Sequence, residues 1–512
     1  MTHPTAPDPT ARTWPHGVAA VVATLAGIGV GQLVAAVLAP ASAPVLAIGS
    51  AVIDATPTSV KEWAVATFGT ADKPVLVGSV IIVTLILAWA IGVLARHRRI
   101  PALILLVVLV SLAGWAALSR PDAGPSAVIP ALATGITGLL SAAFLFARAD
   151  RWTASIATPV SAGVQRRSFI VGTVGVGALA VSSDGVAQVL LRPKQATPQI
   201  TLPVPATTLT PLPAGLEAKV GGISPFVTPA KDFYRIDTAL ATPSVDIASW
   251  QLTIDGAVNH PLTITWTELL AMPMIEADIT LCCVSNEIGG DLVGSARWTG
   301  VRTADLLARV GIHPEVDQIL STSVDGMTIS TPVQALTGDR DALIAVAMNG
   351  RPLPPAHGFP ARLITPGLYG FTGATKWLTR MTATTYADAS AYWTVRGWAT
   401  DAPVITQSRI DTPRAGAHIS AGQNIIGGVA WAQHRGISQV QVRIDEGPWQ
   451  QATLGPDAGI DYWRQWYLPW EATPGEHTLT VRAKDHTGAW QDERVTDVLP
   501  RGATGLHAVR VR

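Results

Sequence analysis

The chain has 512 residues, 48% apolar and only 14% charged, with 36 basic residues against 36 acidic. Such apolar content excludes a disordered chain, and the even charge balance argues against a general nucleic-acid binder. Length alone asks for several units, and charge divides them, because only 19 of the 72 charged residues lie in the first 192.

Five apolar stretches come first, at about Gly17–Ala39, Val75–Ala95, Ile100–Leu118, Ala127–Ala147 and Ser168–Leu191. About 20 apolar residues cross a bilayer, so residues 1–192 read as a membrane region of about five transmembrane helices. Asp184 and Gly185 interrupt the far end of the fifth. The first stretch is too long for a cleavable signal peptide. Arg12, Arg96, Arg98, Arg99, Arg148, Arg151, Arg166 and Arg167 fall on the N-terminal side of the membrane, and Lys61, Lys73 and Arg120 on the other. Positive loops stay in the cytoplasm, which predicts an inside N-terminus and an outside location for everything after about residue 192. Gln165-Arg166-Arg167-Ser168-Phe169-Ile170 has the form of a twin-arginine export signal, or of two arginines anchoring a helix end. Ionisable residues within a membrane mark transport paths; these stretches hold almost none, so no charge pair is expected among them. His97 is the sole histidine between His16 and His260, so a bis-histidine haem is not expected either. The bundle reads as an anchor in membrane lipid that meets a quinone or a partner subunit.

Residues 193–224, with Pro193, Pro198, Pro203, Pro205, Pro211 and Pro213, form a linker or a strap over the next domain. Trp250, Leu252 and Ile254 then alternate as in a half-buried strand, and Ala277 to Cys283 is a second strand. Thr303-Ala304-Asp305-Leu306-Leu307 opens a short capped helix. This predicts an α+β domain over residues 225–400. From 401 to 512 short alternating runs (Val440, Val442, Ile444; His477, Leu479, Val481) predict an all-β immunoglobulin-like sandwich. Trp431, Trp449, Trp463, Trp466, Trp470 and Trp490 read as packing residues. The expected fold class is therefore multi-domain, with an N-terminal α-helical transmembrane bundle, an α+β domain and an all-β sandwich.

The two cysteines, Cys282 and Cys283, are adjacent. Adjacent cysteines rarely close a disulfide, and one pair cannot make a four-ligand zinc site. They are core filler, or one is a special thiolate. The run Thr280-Leu281-Cys282-Cys283-Val284-Ser285-Asn286-Glu287, followed by Ala296-Arg297-Trp298-Thr299-Gly300-Val301, resembles the molybdopterin core of the sulfite oxidase family. Met348-Asn349-Gly350-Arg351-Pro352-Leu353-Pro354, His357-Gly358-Phe359-Pro360-Ala361-Arg362, Pro366-Gly367-Leu368-Tyr369-Gly370 and Lys376-Trp377-Leu378 follow in the family's order. The resemblance covers roughly residues 225–400, and the sandwich after it is similar to the family's dimerisation domain.

The resemblance implies that Cys283 is the metal ligand, a soft thiolate suited to a metal that also carries the two dithiolene sulfurs of the pterin. Cys282 is then a small buried residue. A pterin with a phosphate and many ring donors needs cationic and backbone partners. By resemblance these are His357, Arg362, Ala374, Thr375 and Lys376, with Phe233, Tyr234, Arg235 and Asp237 lining the cofactor, Arg235 near the substrate, and Asp325 as a further contact. Taken singly, His357 is equally a loop histidine, Arg362 a surface charge and Asp325 a turn residue beside Gly326. Sulfite-oxidising members carry arginines after Cys-x-x-Asn, where this chain has Glu287 and Ile288, and a tyrosine near the metal, which aligns with Trp398. Arg235 and Arg396 remain as anion binders, so the implied catalytic set is Cys283, Arg235, Arg396 and Trp398.

The implied activity is two-electron oxygen-atom transfer on a small sulfur-oxo-type substrate at the outer face, with sulfite oxidation proper as an alternative. A non-catalytic surface-binding protein on a degenerate cofactor domain is a second alternative. No Cys-x-x-Cys-His motif is present, so no haem is expected in this chain and electrons pass to a separate carrier, a cytochrome or a quinone-linked subunit. A homodimer through the sandwich completes the expected partners.

Overall fold

The computed structural model describes residues 13–38, 40–68, 71–120, 123–155, 159–195 and 200–512. Arg12 and Pro198 lie outside the described residues. The chain forms two compact units, Met1–Ala196 with Thr238–Ser244, and Thr197–Asp237 with Val245–Arg512.

The first unit is helical: α1 (Trp14–Leu38), α2 (Pro44–Ala55), α3 (Thr58–Phe68), α4 (Asp72–His97), α5 (Arg99–Leu118), α6 (Ile129–Ala154) and α7 (Pro159–Gln195). Among the described residues five helices are long and apolar enough to cross a membrane. The short helices α2 and α3 occupy a stretch that the sequence left as a connection. Asp184 and Gly185 do not break α7, which continues through Pro193 to Gln195. Both residues are exposed, so no packing is disturbed, and a glycine inside a helix costs only about 1 kcal/mol. Small residues set how closely the helices approach. A Cβ on Gly27 of α1 would lie 2.6 Å from the Thr134 carbonyl oxygen of α6, and one on Gly29 would lie 2.6 Å from that of Ala180 in α7.

A charged cluster sits just outside the apolar stretches, at the ends of three helices. Nε2 of His16 on α1, itself buried, lies 2.9 Å from Asp150 Oδ1 on α6, and Arg99 at the start of α5 takes the other carboxylate oxygen. Residues separated by 134 positions meet there, a pairing that sequence spacing does not reveal.

The second unit begins with ten strands and four short helices. In chain order these are β1 (Gln251–Gly256), β2 (Leu262–Thr265), α8 (Trp266–Leu270), β3 (Ile275–Cys282), β4 (Val293–Arg302), α9 (Thr303–Val310), β5 (Gln318–Ser323) and β6 (Thr328–Pro332). They continue with α10 (Val333–Thr337), β7 (Leu343–Met348), β8 (Arg351–Pro352), β9 (Arg362–Ile364), α11 (Gly370–Gly373) and β10 (Leu378–Thr384). One sheet has the order β2-β1-β10-β5-β6, with β1 and β10 parallel; the other runs β3-β4-β7-β8, with β9 also paired to β7. Leu252 and Ile254 of β1 enter a core with Leu306, Ile319, Ile344 and Met381. Thr303 is not the helix cap that the sequence suggested. It is the first residue of α9, and its hydroxyl donates to the carbonyls of Leu336 and Ala342 instead.

The C-terminal region adds β11 (Gln407–Thr412), β12 (Gly422–Trp431), β13 (Ile437–Ile444), β14 (Gln450–Gln451), β15 (Thr453–Leu454), β16 (Arg464–Ala472), β17 (His477–Asp485) and β18 (His507–Val511). These make two four-stranded antiparallel sheets, β11-β12-β16-β15 and β14-β13-β17-β18. Ile426 and Trp466 of the first share a core with Val440, Val442, Leu479 and Val481 of the second. Trp431, Trp463, Trp466 and Trp470 are buried. Trp449 and Trp490 instead flank the Arg482 guanidinium, at 4.1 and 4.2 Å. Residues 200–216 form a strap. Thr207 bridges Ile275 of β3, Arg297 donates to the Thr210 carbonyl at 2.8 Å, and the Leu216 N–H meets Gln465 at 2.6 Å.

Candidate active site around Cys283

Strand β3 ends at Cys282, and Cys283 opens the loop that follows. Its N–H donates to the Leu292 carbonyl at 2.9 Å, and the Asn286 N–H returns to the Cys283 carbonyl at 3.1 Å. The Asn286 carboxamide oxygen then accepts the Leu292 N–H at 2.8 Å. An asparagine three residues after the cysteine thus ties both limbs of the loop, the local turn-forming role that this side chain serves well. Arg409 of β11 holds the far limb through the Gly290 carbonyl at 2.6 Å.

The two cysteines part company here. Cys282 is fully buried in an apolar cluster with Val284, Tyr369, Trp398 and Trp431. Burial pushes both thiols up; for Cys283 it is opposed by hydrogen bonds from Ser285 and Val284 and by the charge of Lys376. Cys282 is also opposed, by the charge of Arg409 and the Trp431 indole, but only Cys283 has backbone donors among the groups that favour its thiolate.

A cationic pocket lies beside it. The 357–362 turn and the 374–378 segment zip together through Leu363 N–H to Thr375 and Leu378 N–H to Ala361, each at 2.9 Å. Gly358, at φ 109°, makes this approach possible, since a Cβ there would lie 3.1 Å from Lys376 Cα. The zipper gathers His357, Arg362 and Lys376. His357 Nε2 donates to the Ala230 carbonyl at 2.7 Å, and Arg362 Nη1 donates to the His357 carbonyl at 3.1 Å. Lys376 Nζ reaches Asp237 Oδ2 at 2.8 Å, an oxygen that also accepts from Arg235 Nε at 3.0 Å. Burial lowers all three basic groups: His357 to about 4, which leaves it neutral near pH 7, Arg362 to about 10 and Lys376 to about 8, with Asp237 opposing the fall at Lys376.

The pocket holds more positive charge than its one carboxylate, Asp237, can balance. Arg362 Nε is buried with no hydrogen-bond partner, as are Ser323 Oγ and Thr365 Oγ1. Buried donors without acceptors are costly, and an anionic ligand with several oxygens would satisfy them. Phe233 meets His357 edge-on at 5.7 Å and stacks on Tyr234 at 5.3 Å. The Tyr234 phenol is buried and held well above its usual range, first by desolvation and then by Cys283. Phe233, Tyr234, Arg235, Asp237, Cys283, His357, Arg362 and Lys376 are thus one connected group.

The other expected residues lie around it in different ways. Ala374 is buried, and Thr375 Oγ1 pairs with Ser321 Oγ at 2.5 Å. Asp325 accepts the Met327 N–H at 3.3 Å in the β5–β6 turn, the turn role its neighbour Gly326 suggested. Arg396 lies 3.5 Å over the Tyr392 ring and donates to the Tyr392 carbonyl at 2.7 Å. Trp398 is buried against Phe371 and Trp393, and its Nε1–H has no partner. Ser323 and Thr365 escaped the sequence reading because a hydroxyl without a partner leaves no sequence signal.

Residues 239–393 match a family described as oxidoreductase molybdopterin binding domain. The chain is 27% identical over 307 residues to mitochondrial sulfite oxidase of Mus musculus, covering 51% of this chain and 56% of that protein. It is 32% identical over 195 residues to nitrate reductase [NADH] 1 of Oryza sativa subsp. japonica, covering 33% of this chain and 21% of the other. A solved structure, the sulfane dehydrogenase SoxCD from Paracoccus pantotrophus, aligns at 24% identity and a TM-score of 0.48, covering 55% of this chain and 80% of that one. The chain spans little more than half the length of the sulfite oxidase it matches, at 56%. The chain thus carries an oxidoreductase molybdopterin binding domain and is similar to sulfite oxidase over about half of its length.

Proposed function

We propose that this chain is a membrane-anchored oxidoreductase that moves an oxygen atom and two electrons on a small, neutral sulfur-oxo substrate at the outer face of the membrane. The observation that carries this reading is Cys283 beside a buried pocket whose cations outnumber their one carboxylate. The orphaned Arg362 Nε and the two free hydroxyls fit a phosphate-bearing pterin. Cys283 would ligate the metal through sulfur. His357, Arg362 and Lys376 would hold the anionic end, with Phe233, Tyr234, Arg235, Asp237, Ala374 and Thr375 lining the ring. When bound, this group supplies the metal centre for oxygen-atom and two-electron exchange.

The chain's own residues then set the environment. Burial keeps the proton on the Tyr234 oxygen, so the phenol remains a donor. The Trp398 indole N–H is a second buried donor, left over for a substrate oxygen, and Phe371 and Trp393 beside it exclude water. Sulfite fits less well. Glu287 is exposed just after the cysteine loop, Arg235 is held by Asp237, and Arg396 is held by Tyr392. Each missing charge-assisted hydrogen bond weakens anion binding by roughly 1.5–3 kcal/mol. A non-catalytic scaffold would have no use for the Arg362 and Lys376 cations gathered around one carboxylate. Positive loops on the N-terminal side support the outward orientation. The two C-terminal sheets are read as an immunoglobulin-like module and a dimer contact, and electrons leave through a separate carrier.

Metal analysis of the full chain should give about one molybdenum per chain, and steady-state assays with an artificial dye should favour sulfoxides over sulfite by at least about tenfold in kcat/KM. Absence of molybdenum overturns the enzyme reading. A micromolar KM for sulfite with fast turnover overturns the substrate alone.

A further inference from the structure

Helices α6 and α7 line an open groove of about 510 Å³ that holds two guanidinium groups and the Ser168 hydroxyl on an otherwise apolar wall. Arg148 of α6 lies across the Phe144 ring at 3.6 Å, and its Nε is buried with no hydrogen-bond partner. Arg167 of α7 lines the same space and is exposed. Among the described residues no carboxylate pairs with either arginine, and Asp150, two positions beyond Arg148, is already taken by His16 and Arg99. The groove floor is glycine for a reason. A Cβ on Gly172 would lie 2.9 Å from Arg148 Cδ, and one on Gly175 would meet open space. Leu179 closes the apolar end.

These features describe the mould of an amphiphile. Two cations without a carboxylate call for an anionic head, whereas the remaining wall, Ser168 apart, is apolar. From Arg167 to Leu179 the helix rises about 18 Å, close to one leaflet's half of a roughly 30 Å hydrocarbon core. Basic pockets between membrane helices recognise anionic head groups in this way. We propose that the groove binds one anionic glycerophospholipid, its phosphate between Arg148 and Arg167 and an acyl chain along Gly175, Val176 and Leu179. The proposal rests on the reading of the helical unit as a membrane bundle. It gives Arg167, half of the arginine pair, a task that outlasts any export step.

Native mass spectrometry of the full chain, exchanged from detergent into phosphatidylglycerol or phosphatidylcholine, tests this. One phosphatidylglycerol should remain per chain, favoured at least tenfold over phosphatidylcholine. Arg148→Gln with Arg167→Gln should reduce retention at least tenfold, and so should Gly175→Leu, whose side chain enters the open groove without touching either arginine. Arg167→Gln alone carries the test if the double variant does not fold, because no described residue depends on that side chain. Equal retention by the variants overturns the site, as does a neutral quinone in place of the lipid. Displacement of the lipid by millimolar inorganic phosphate would make the site one for free anion and overturn the lipid assignment. Release of the chain from membranes by alkaline carbonate would defeat the membrane reading itself; a chain that stays integral yet retains no anionic lipid defeats the groove alone.

Discussion

The helical unit closes on itself mostly through small residues, with Ala19, Ala47 and Ala149 fully buried beside a few large ones such as Leu145 and Phe169, while Ile86 (62%), Leu140 (67%) and Val181 (75%) face outward. The second unit does the reverse, with Trp298, Leu252, Ile254 and Trp466 at 0% exposure. Water drives large apolar side chains inward. Hydrocarbon gives no such drive between helices, so close backbone approach through alanine and glycine takes its place. On the proposed membrane reading one chain follows two packing rules, and the exposed aliphatics of the first unit match a hydrocarbon surrounding.

The largest effect should fall on the chemistry of the second unit. Cys283→Ser should reduce turnover to background while circular dichroism and the thermal midpoint stay near wild type; Cys282→Ala should keep most activity. Full activity in the Cys283 variant would remove the assigned ligand. Trp298→Ala, in the water-formed core, should destabilise the second unit by about 3–5 kcal/mol in a denaturant titration. Its counterpart is Ile86→Asp on an exposed helix face. In water that change would lie within about 0.5 kcal/mol, whereas near the centre of a membrane helix it costs about 2.5–3.5 kcal/mol. A neutral outcome in a membrane-insertion assay would break the comparison at its root.

A pH series sharpens it further. His357 is lowered to about 4 in the fold by burial, against about 6.5 when unfolded. The unfolded chain therefore binds more protons between those values. Stability of the cofactor-free second unit should rise with pH from about 4 to about 6.5 and then level off, by on the order of 2–3 kcal/mol. His357→Gln should flatten that slope in fluorescence-detected unfolding, and an unchanged slope would place the titrating group elsewhere. The smallest change is Thr265→Ala, which removes the capping box with Glu268 at the start of α8. It should lower the unfolding free energy by about 1 kcal/mol and leave activity intact.

Local patterns made much of this legible. Alternation at Leu252 and Ile254, and at Val440 and Val442, reflects a strand with one face in a core, and both occur in strands. Cys283 was singled out only through the family resemblance, and its ties to Asn286 and Leu292, although close in sequence, were not read beforehand. Contacts that depend on distant chain could not be read. Asp237 serves Lys376 across 139 positions, and Thr303 gave its hydroxyl to Leu336 and Ala342 rather than to its own helix. Asp325 and Arg396 had the right residue types, but their nearest available partners were local, the Met327 N–H and the Tyr392 ring.

The ties that hold the cysteine strand and its loop come from far downstream. Gln433 donates to the Thr280 carbonyl at 3.1 Å, the Trp463 N–H donates to the Thr280 hydroxyl at 2.8 Å, and Arg409 grips Gly290. A chain cut near residue 400 would keep each cofactor-facing residue and lose these three clamps. The smallest fragment worth expressing is therefore the whole second unit, strap included. During synthesis the loop bearing Cys283 remains unclamped until about 180 further residues have emerged, as the position of Trp463 requires. That delay leaves a natural interval in which the pocket is open to a bulky guest.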